Sequence, residues 1–254
     1  MRWSILSLII TACLAGSGCR QSDPGTPAPI SNPSANLELC LRATAGTATL
    51  RMGDTLTTAG NEKFTLSQYT YYLTNIVLLG NSLTPDYVQP ESYYLPDFAK
   101  TDTAHYLLKQ VPPGTYTGIR FLIGVDSLHN VSGAQKGALD PDNGMFWTWV
   151  SGYVHFRAEG KTITPPGDFL YHIGGFSGAE AVQRQATIPF PAGGLVLNPN
   201  QRKKLVLDSD VLEVFTHPNG WEINAIRTVS SPGGNATVLA DNYADMLRFN
   251  AITD

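Results

Sequence analysis

The sequence has little charge and few cysteines. Only 15% of its 254 residues are charged, and its formal net charge is −4. The basic group Arg202-Lys203-Lys204 is small and isolated, so the clustered positive charge of a nucleic-acid-binding protein is missing. Cys13 and Cys19 lie at the beginning of the chain and leave Cys40 as the one later cysteine. An internal disulfide framework is therefore excluded beyond the first segment.

The common catalytic and cofactor motifs are also missing. The sequence contains no Gly-x-Ser-x-Gly elbow, phosphate loop, dinucleotide fingerprint, His-Glu-x-x-His motif or paired-cysteine zinc site. No nucleophile stands beside a candidate base in the pattern of a hydrolase. We therefore predict that the protein is not an enzyme.

An export signal is predicted at the start of the chain. Arg2 precedes an apolar run from Trp3 to Ile10 that is too short to span a bilayer, and small residues follow it. A cysteine at the end of such a signal is typical of bacterial lipoproteins. We predict lipid attachment at Cys19, with Cys13 or an ordinary secretory signal as alternatives. The predicted location is the bacterial cell envelope, lipid-anchored and facing the periplasm or the outer surface.

Composition divides the chain into three parts. Residues 1–18 form the predicted lipoprotein signal peptide. Residues 19–36 are rich in Pro, Ser and Asn and have almost nothing to bury, which predicts a disordered tether. Residues 37–254 are long enough for one sizeable domain with its own core.

The composition and turn motifs of residues 37–254 predict an all-β fold. The chain holds 24 Gly and 17 Pro, and short apolar or alternating runs lie between its turn motifs. Many short strands without intervening helices favour an antiparallel β-sandwich, immunoglobulin-like or jelly-roll-like, with one short C-terminal helix. The helix is predicted within 240–248, beginning at Asp241. Strands are predicted at 37–42, 64–79, 105–111, 116–124, 146–159, 169–173, 186–190, 204–208 and 221–228.

The richest candidate site lies in the segment 144–156. Side chains alternate along an extended strand, so Trp147, Trp149, Tyr153 and His155 are predicted to share one face. Such a face combines oxidisable rings with an imidazole. It is typical of a metal or modification site, of an aromatic binding platform, or of a plain aromatic core.

Histidines are the candidate metal ligands, because imidazole is the commonest biological ligand and suits copper and zinc. His129 follows a predicted strand in a loop, where site residues often lie. His155 shares the predicted face with the tryptophans. His172 follows Tyr171 and precedes two glycines that allow the backbone to approach another group closely. His105 and His217 are interpreted as an edge residue and a turn residue.

Several motifs together resemble the MbnP-like family. They are Tyr71-Tyr72-Leu73-Thr74-Asn75, Val111-Pro112-Pro113-Gly114, Met145-Phe146-Trp147-Thr148-Trp149, Ser151-Gly152-Tyr153 and His172-Ile173-Gly174-Gly175. The resemblance covers nearly all of the third part. It implies a β-rich cell-envelope protein that binds copper and functions in copper homeostasis. It also implies a partner, a MauG-type dihaem cytochrome c peroxidase, that oxidises a tryptophan of this chain to kynurenine.

The resemblance assigns roles residue by residue. His172 matches the family's His-(Leu/Ile)-Gly motif and is the first candidate copper ligand, with His129 and His155 as further candidates. Trp147 and Trp149 match the Trp-x-Trp pair, and either one is the oxidised or electron-relay residue. Tyr153 and Tyr171 are supporting residues. Two departures are that the order His129-Asn130 reverses the family's Asn-His pair, and that this chain lacks the four cysteines of a major branch. We therefore expect a divergent lipoprotein branch.

A rival hypothesis assigns a different function to the same residues. Trp147, Trp149 and Tyr153 would form a flat aromatic platform on a surface-anchored β-sandwich, which stacks on a carbohydrate or anchors a protein. A third hypothesis buries both tryptophans in the core and leaves no site. Burial distinguishes the three hypotheses, since only the platform requires exposed rings and only the metal site requires converging donors.

Overall fold

Residues 33–133, 135–148 and 151–254 are described by a computed structural model in which most regular structure is β-strand. The strands are β1 (Ala35–Ala45), β2 (Ala48–Thr49), β3 (Leu56–Thr57), β4 (Lys63–Tyr71), β5 (Leu73–Leu79), β6 (Tyr87–Val88), β7 (Tyr93–Tyr94), β8 (Thr103–Val111), β9 (Gly114–Tyr116), β10 (Gly118–Ile123), β11 (Phe146–Thr148), β12 (Gly152–Ile163), β13 (Pro166–Gly174), β14 (Arg184–Pro189), β15 (Leu195–Leu197), β16 (Arg202–Asp210), β17 (Thr228–Val229) and β18 (Leu247–Thr253). The helices are α1 (Ser127–Asn130) and α2 (Gly234–Tyr243).

The strands form three main sheets and a small ribbon. The first sheet has the order β18-β16-β1-β2, with β8 also paired to β1. The second has the order β17-β13-β12-β4-β3, with β11 also paired to β12, and the third has the order β14-β10-β5-β6, with β7 also paired to β5. Strands β15 and β9 form the ribbon. Most pairs are antiparallel, but β1 with β16 and β13 with β17 run parallel.

One large core lies between the sheets. Alternation along β1 turns Leu37, Leu39 and Leu41 inward, where all three are fully buried. The hydroxyls of Tyr69 and Tyr71, on β4 of the second sheet, both reach the Ser209 hydroxyl on β16 of the first sheet, at 2.6 and 2.8 Å. The first and second sheets are therefore joined by buried hydrogen bonds as well as by apolar packing.

The all-β prediction is confirmed, including one short helix near the C-terminal end. The position of that helix was wrong, because α2 ends at Tyr243 and the residues from Leu247 onward form β18 beside β16. Tyr243 is buried and its ring stacks on Phe156, with 5.2 Å between centroids. In the described part of the chain, no helix has the length and apolar character needed to cross a membrane.

Four strand predictions also need correction. The segment 116–124 is interrupted at Thr117, which lies between β9 and β10. The segment 64–79 is interrupted at Tyr72, whose backbone N–H donates to the His155 carbonyl and whose carbonyl accepts from Gly124. The segment 146–159 contains a chain reversal between β11 and β12. The segment 221–228 is mostly turn, and only Thr228 at its end belongs to a strand. Strand β1 begins at Ala35, within the predicted tether, while the signal peptide, Cys13 and Cys19 lie outside the described residues.

Candidate functional site

The tryptophan segment is a hairpin, not one continuous strand. Phe146 pairs with Tyr153 and Thr148 pairs with Gly152, so the chain turns back between these residues. The prediction that Trp147, Tyr153 and His155 share one face of a single strand is therefore wrong, since Trp147 lies on the other arm of the hairpin. Trp149 lies outside the described residues.

A buried asparagine holds this hairpin against the loop that follows β10. The Asn130 side-chain oxygen accepts from the Tyr153 backbone N–H at 3.0 Å, and its amide donates to the Val125 carbonyl at 2.8 Å. Gly152 has a φ of +73°, and a Cβ there would lie 2.3 Å from the Asn130 oxygen. Glycine is required at this position by both the backbone conformation and the close approach.

The ring of Trp147 lies over Gly174. A Cβ built on Gly174 would be 2.5 Å from Cζ3 of Trp147, so only glycine leaves room for the indole. Trp147 is half-buried there, beside the small core that contains Tyr153. Because side chains two residues apart project from the same face of a strand, the indole covers the face of β13 from which His172 projects.

His172 forms a polar row with two residues of the adjacent strand. Its Nε2 lies 2.7 Å from Oε1 of Glu159, and the Arg157 Nε donates to the same oxygen at 2.7 Å. The register places Arg157 directly opposite His172. All three side chains are partly exposed, at 21–26% of their side-chain area. We call these residues the polar row.

The polar row fixes the charge on Glu159 and the orientation of His172. Burial raises the pKa of Glu159, but hydrogen bonds from His172 and Arg157 outweigh it and leave the pKa below the ordinary value. The ionised carboxylate accepts the proton on Nε2. Nδ1 of a neutral His172 then carries a lone pair, and it has no hydrogen-bond partner among the residues that the structure describes.

His129 belongs to a separate cluster. Its Nδ1 lies 2.9 Å from an Asp126 carboxylate oxygen and 2.7 Å from the Tyr93 hydroxyl, which also donates to Asp126 at 2.7 Å. Asp126 additionally caps α1 by accepting from the His129 backbone N–H. Burial raises the pKa of Asp126, but the hydrogen bonds from Tyr93 and His129 make the pKa lower than usual.

His155 is a core residue. It is the extra residue of a bulge in β12, between Val154 and Phe156, and it is fully buried. The Val125 N–H donates to its Nδ1 at 2.8 Å, so the neutral ring carries its proton on Nε2. With one nitrogen accepting a backbone bond and the other protonated, His155 offers no free lone pair to a metal ion.

The predicted supporting residues are also in the core. The Tyr153 hydroxyl donates to the Leu139 carbonyl at 2.6 Å, and the Tyr171 hydroxyl donates to the Ile226 carbonyl at the same distance. Tyr153 is only 1% exposed, so it adds no ring to an aromatic platform. Within residues 33–133, 135–148 and 151–254, no three His, Cys, Asp or Glu residues form a group that could hold a metal ion. The three predicted histidines are therefore not brought together.

Sequence reasoning missed the partners that orient His172. Arg157 and Glu159 alternate with buried residues on β12, so the sequence pattern could have predicted that both are exposed on one face. Their place beside His172 depends on the register between two strands, and no local signal encodes that register.

The family model for MbnP matches residues 34–233. Among solved structures, MbnP from Methylosinus trichosporium matches with 15% sequence identity and a TM-score of 0.49, over 79% of this chain and 81% of that chain. No curated protein matches the sequence.

Proposed function

We propose, from the premise that this chain belongs to the MbnP family, that it is an exported copper-binding protein, anchored in the bacterial cell envelope by a lipid on Cys19. Its role would be copper homeostasis and not catalysis. The predicted export signal supports the location, and the polar row supports the binding chemistry. The family resemblance found in the sequence is confirmed by the match over residues 34–233.

The observation that best supports copper binding is the hydrogen bond between His172 and Glu159. Histidine ligands usually donate their second ring N–H to a carboxylate, which fixes the tautomer and raises the basicity of the ligating nitrogen. Glu159 takes this position at 2.7 Å and leaves Nδ1 of His172 as the donor. Imidazole is a good ligand for copper.

The donor set fits an ion that needs few ligands. No group of three ligating side chains is formed in the described part of the chain, so a three-ligand site built from unmodified residues does not match. His129 is engaged with Asp126, and the His155 ring is buried. Copper(I) in a low-coordinate site, held by His172 and one further donor, remains compatible with these positions. The bound ion would supply a redox-active centre.

Trp147 is the proposed origin of the second donor. Its indole covers the face of β13 that carries His172, and it is half-buried and so reachable from the surface. An indole is a poor ligand, whereas kynurenine offers an aromatic amine and a carbonyl. Trp149, the other member of the Trp-x-Trp pair, is the alternative, and it lies outside the described residues.

The proposed oxidation balances with peroxide as oxidant. A MauG-type dihaem peroxidase partner would transfer four electrons from the indole to two hydrogen peroxide molecules. The C2–C3 bond breaks, two oxygen atoms are added to give N-formylkynurenine, and two water molecules form. Hydrolysis then releases formate and leaves kynurenine. The chain described here would be the substrate of that partner.

The test is intact mass and metal analysis of the protein from its native host after copper exposure. We expect one bound copper per chain and the mass change of one tryptophan-to-kynurenine conversion, which peptide mapping assigns to Trp147. The variant His172→Gln should lose copper, and the exposed-histidine control His105→Gln should retain it. An unmodified wild-type chain without copper would overturn the proposal.

A further inference from the structure

A cleft of about 400 Å³ opens beside the polar row. Its walls come from β4, β7, β8, β12 and the turn at 140–144, and this size is in the range of small-ligand sites. The side chains that matter for recognition are those of Tyr94, Leu95, Tyr106, Asp142, Met145 and Arg157. None of them is a candidate copper ligand.

One end of the cleft presents a positively charged group with unused donors. Arg157 donates through Nε and Nη2 to Glu159, which fixes its guanidinium plane. Its Nη1 has no hydrogen-bond partner among the residues described, and it lies 3.8 Å from the position of a Cβ built on Gly144. Nη1 therefore has N–H groups available beside the 140–144 turn, where a carboxylate could accept a charge-assisted hydrogen bond.

The same turn presents an unused negative charge. The Asp142 backbone N–H donates to the Asp140 side chain, but the Asp142 carboxylate has no hydrogen bond or ion pair within the described ranges. The other two charged residues of the cleft, Asp97 and Lys100, neutralise each other at 2.8 Å. Among the described residues, Nη1 of Arg157 and the Asp142 carboxylate therefore remain without partners, and both belong to this cleft.

The rest of the wall is aromatic and apolar. The rings of Tyr94 and Tyr106 are 4.4 Å apart between centroids and tilted by 31°. Leu95 adds apolar surface, and the buried Met145 lies behind the wall. An aromatic or apolar side chain would find matching surface here, since rings favour offset and tilted contacts with each other.

We propose that this cleft binds a free α-amino acid with an aromatic or apolar side chain. The carboxylate of the amino acid pairs with Arg157, its ammonium group pairs with Asp142, and its side chain contacts Tyr94 and Tyr106. A ligand with only one of the two charges satisfies only one of the two unused groups. The cleft therefore selects zwitterions.

Three probes that share one side chain test this selection. Calorimetric titration of the purified, copper-free protein uses L-phenylalanine, N-acetyl-L-phenylalanine, which lacks the ammonium group, and L-phenylalaninamide, which lacks the carboxylate. We expect each blocked probe to bind about tenfold more weakly than L-phenylalanine, or worse, because each loses one charge-assisted hydrogen bond.

The decisive variant is Asp142→Asn, because the Asp142 carboxylate makes no bond within the described fold. It should bind L-phenylalanine about tenfold more weakly and no longer prefer it over N-acetyl-L-phenylalanine. Asp54→Asn, which changes an exposed carboxylate in another loop, should bind like the wild type. The variant Arg157→Gln should lose the preference for L-phenylalanine over its amide.

The proposal is overturned if the wild type binds none of the probes at millimolar concentration, or binds all three equally. Unchanged binding by Asp142→Asn would overturn it as well. Since the titration uses copper-free protein, none of these outcomes depends on the copper-binding proposal.

Discussion

The Val125 backbone N–H donates to Nδ1 of His155 at 2.8 Å, inside the protein. This bond requires an unprotonated Nδ1, and burial lowers the pKa of His155 to about 3. The other ring nitrogen, Nε2, is buried without a partner among the described residues. The native fold therefore accommodates His155 as the neutral ring.

Stability should fall on mild acidification because of this histidine. The folded pKa of about 3 lies below the unfolded value of about 6.5, so the unfolded state takes up a proton first as the pH falls. The contribution of His155 is complete above pH ~6.5 and is lost as the pH falls toward 3. We expect the free energy of unfolding to drop by about 2 kcal/mol between pH 7 and pH 5, measured by urea titration.

The variant His155→Gln provides the control, since glutamine can accept from the Val125 N–H but does not titrate. Its free energy of unfolding should change far less over the same interval. Native carboxylates with lowered pKa values, such as Glu159 and Asp126, contribute mainly below about pH 5, where unfolded carboxyl groups begin to titrate. An equal pH dependence in the variant and the wild type would contradict the assignment.

The sequence predicted the strand at 37–42, which lies within β1, because alternation is a local property. It also singled out His172 and the glycines after it. It could not predict that His155 is the extra residue of a bulge, because a bulge breaks the period of two on which a face is assigned. Nor could it place Gly174 under Trp147, since that contact joins a hairpin arm to a strand more than twenty residues later.

The contact of Trp147 with Gly174 predicts a steric effect. The variant Gly174→Ala places a Cβ 2.5 Å from the indole and 2.9 Å from the Tyr153 carbonyl oxygen, so the hairpin must shift. We expect a loss of about 1–3 kcal/mol in urea unfolding, together with a changed tryptophan near-ultraviolet circular dichroism signal. Gly220→Ala, where a Cβ meets nothing within 4 Å, should leave both measurements unchanged.

The hydrogen bonds from Ser209 to Tyr69 and Tyr71 predict a loss of stability when the Ser209 hydroxyl is removed. The variant Ser209→Ala leaves the hydroxyls of Tyr69 and Tyr71 buried, the latter without any partner in the described structure. We expect a loss of about 2–4 kcal/mol on chemical unfolding, because a buried hydroxyl without a partner keeps its full desolvation cost and the Tyr69 hydroxyl keeps only the weak acceptor Met246.

A second substitution separates hydrogen bonding from packing at this site. Adding Tyr71→Phe to Ser209→Ala removes the orphaned hydroxyl and should recover part of the loss. Ser82→Ala, at an exposed loop position, should change stability by less than about 0.5 kcal/mol. If the double variant is less stable than Ser209→Ala alone, packing and not the hydroxyls explains the loss.

The bond between His172 and Glu159 gives the last prediction, which concerns copper. The variant Glu159→Gln keeps the size of the side chain but replaces the charged acceptor of the His172 Nε2 proton by a neutral one. Nδ1, the proposed copper ligand, loses the charged acceptor that orients its ring, so we expect copper(I) affinity to fall by about tenfold or more, measured by competition with a coloured copper(I) chelator. Glu180→Gln, which changes an exposed carboxylate, should bind like the wild type. Loss of copper in His172→Gln with no change in Glu159→Gln would mean that His172 binds copper without orientation by Glu159.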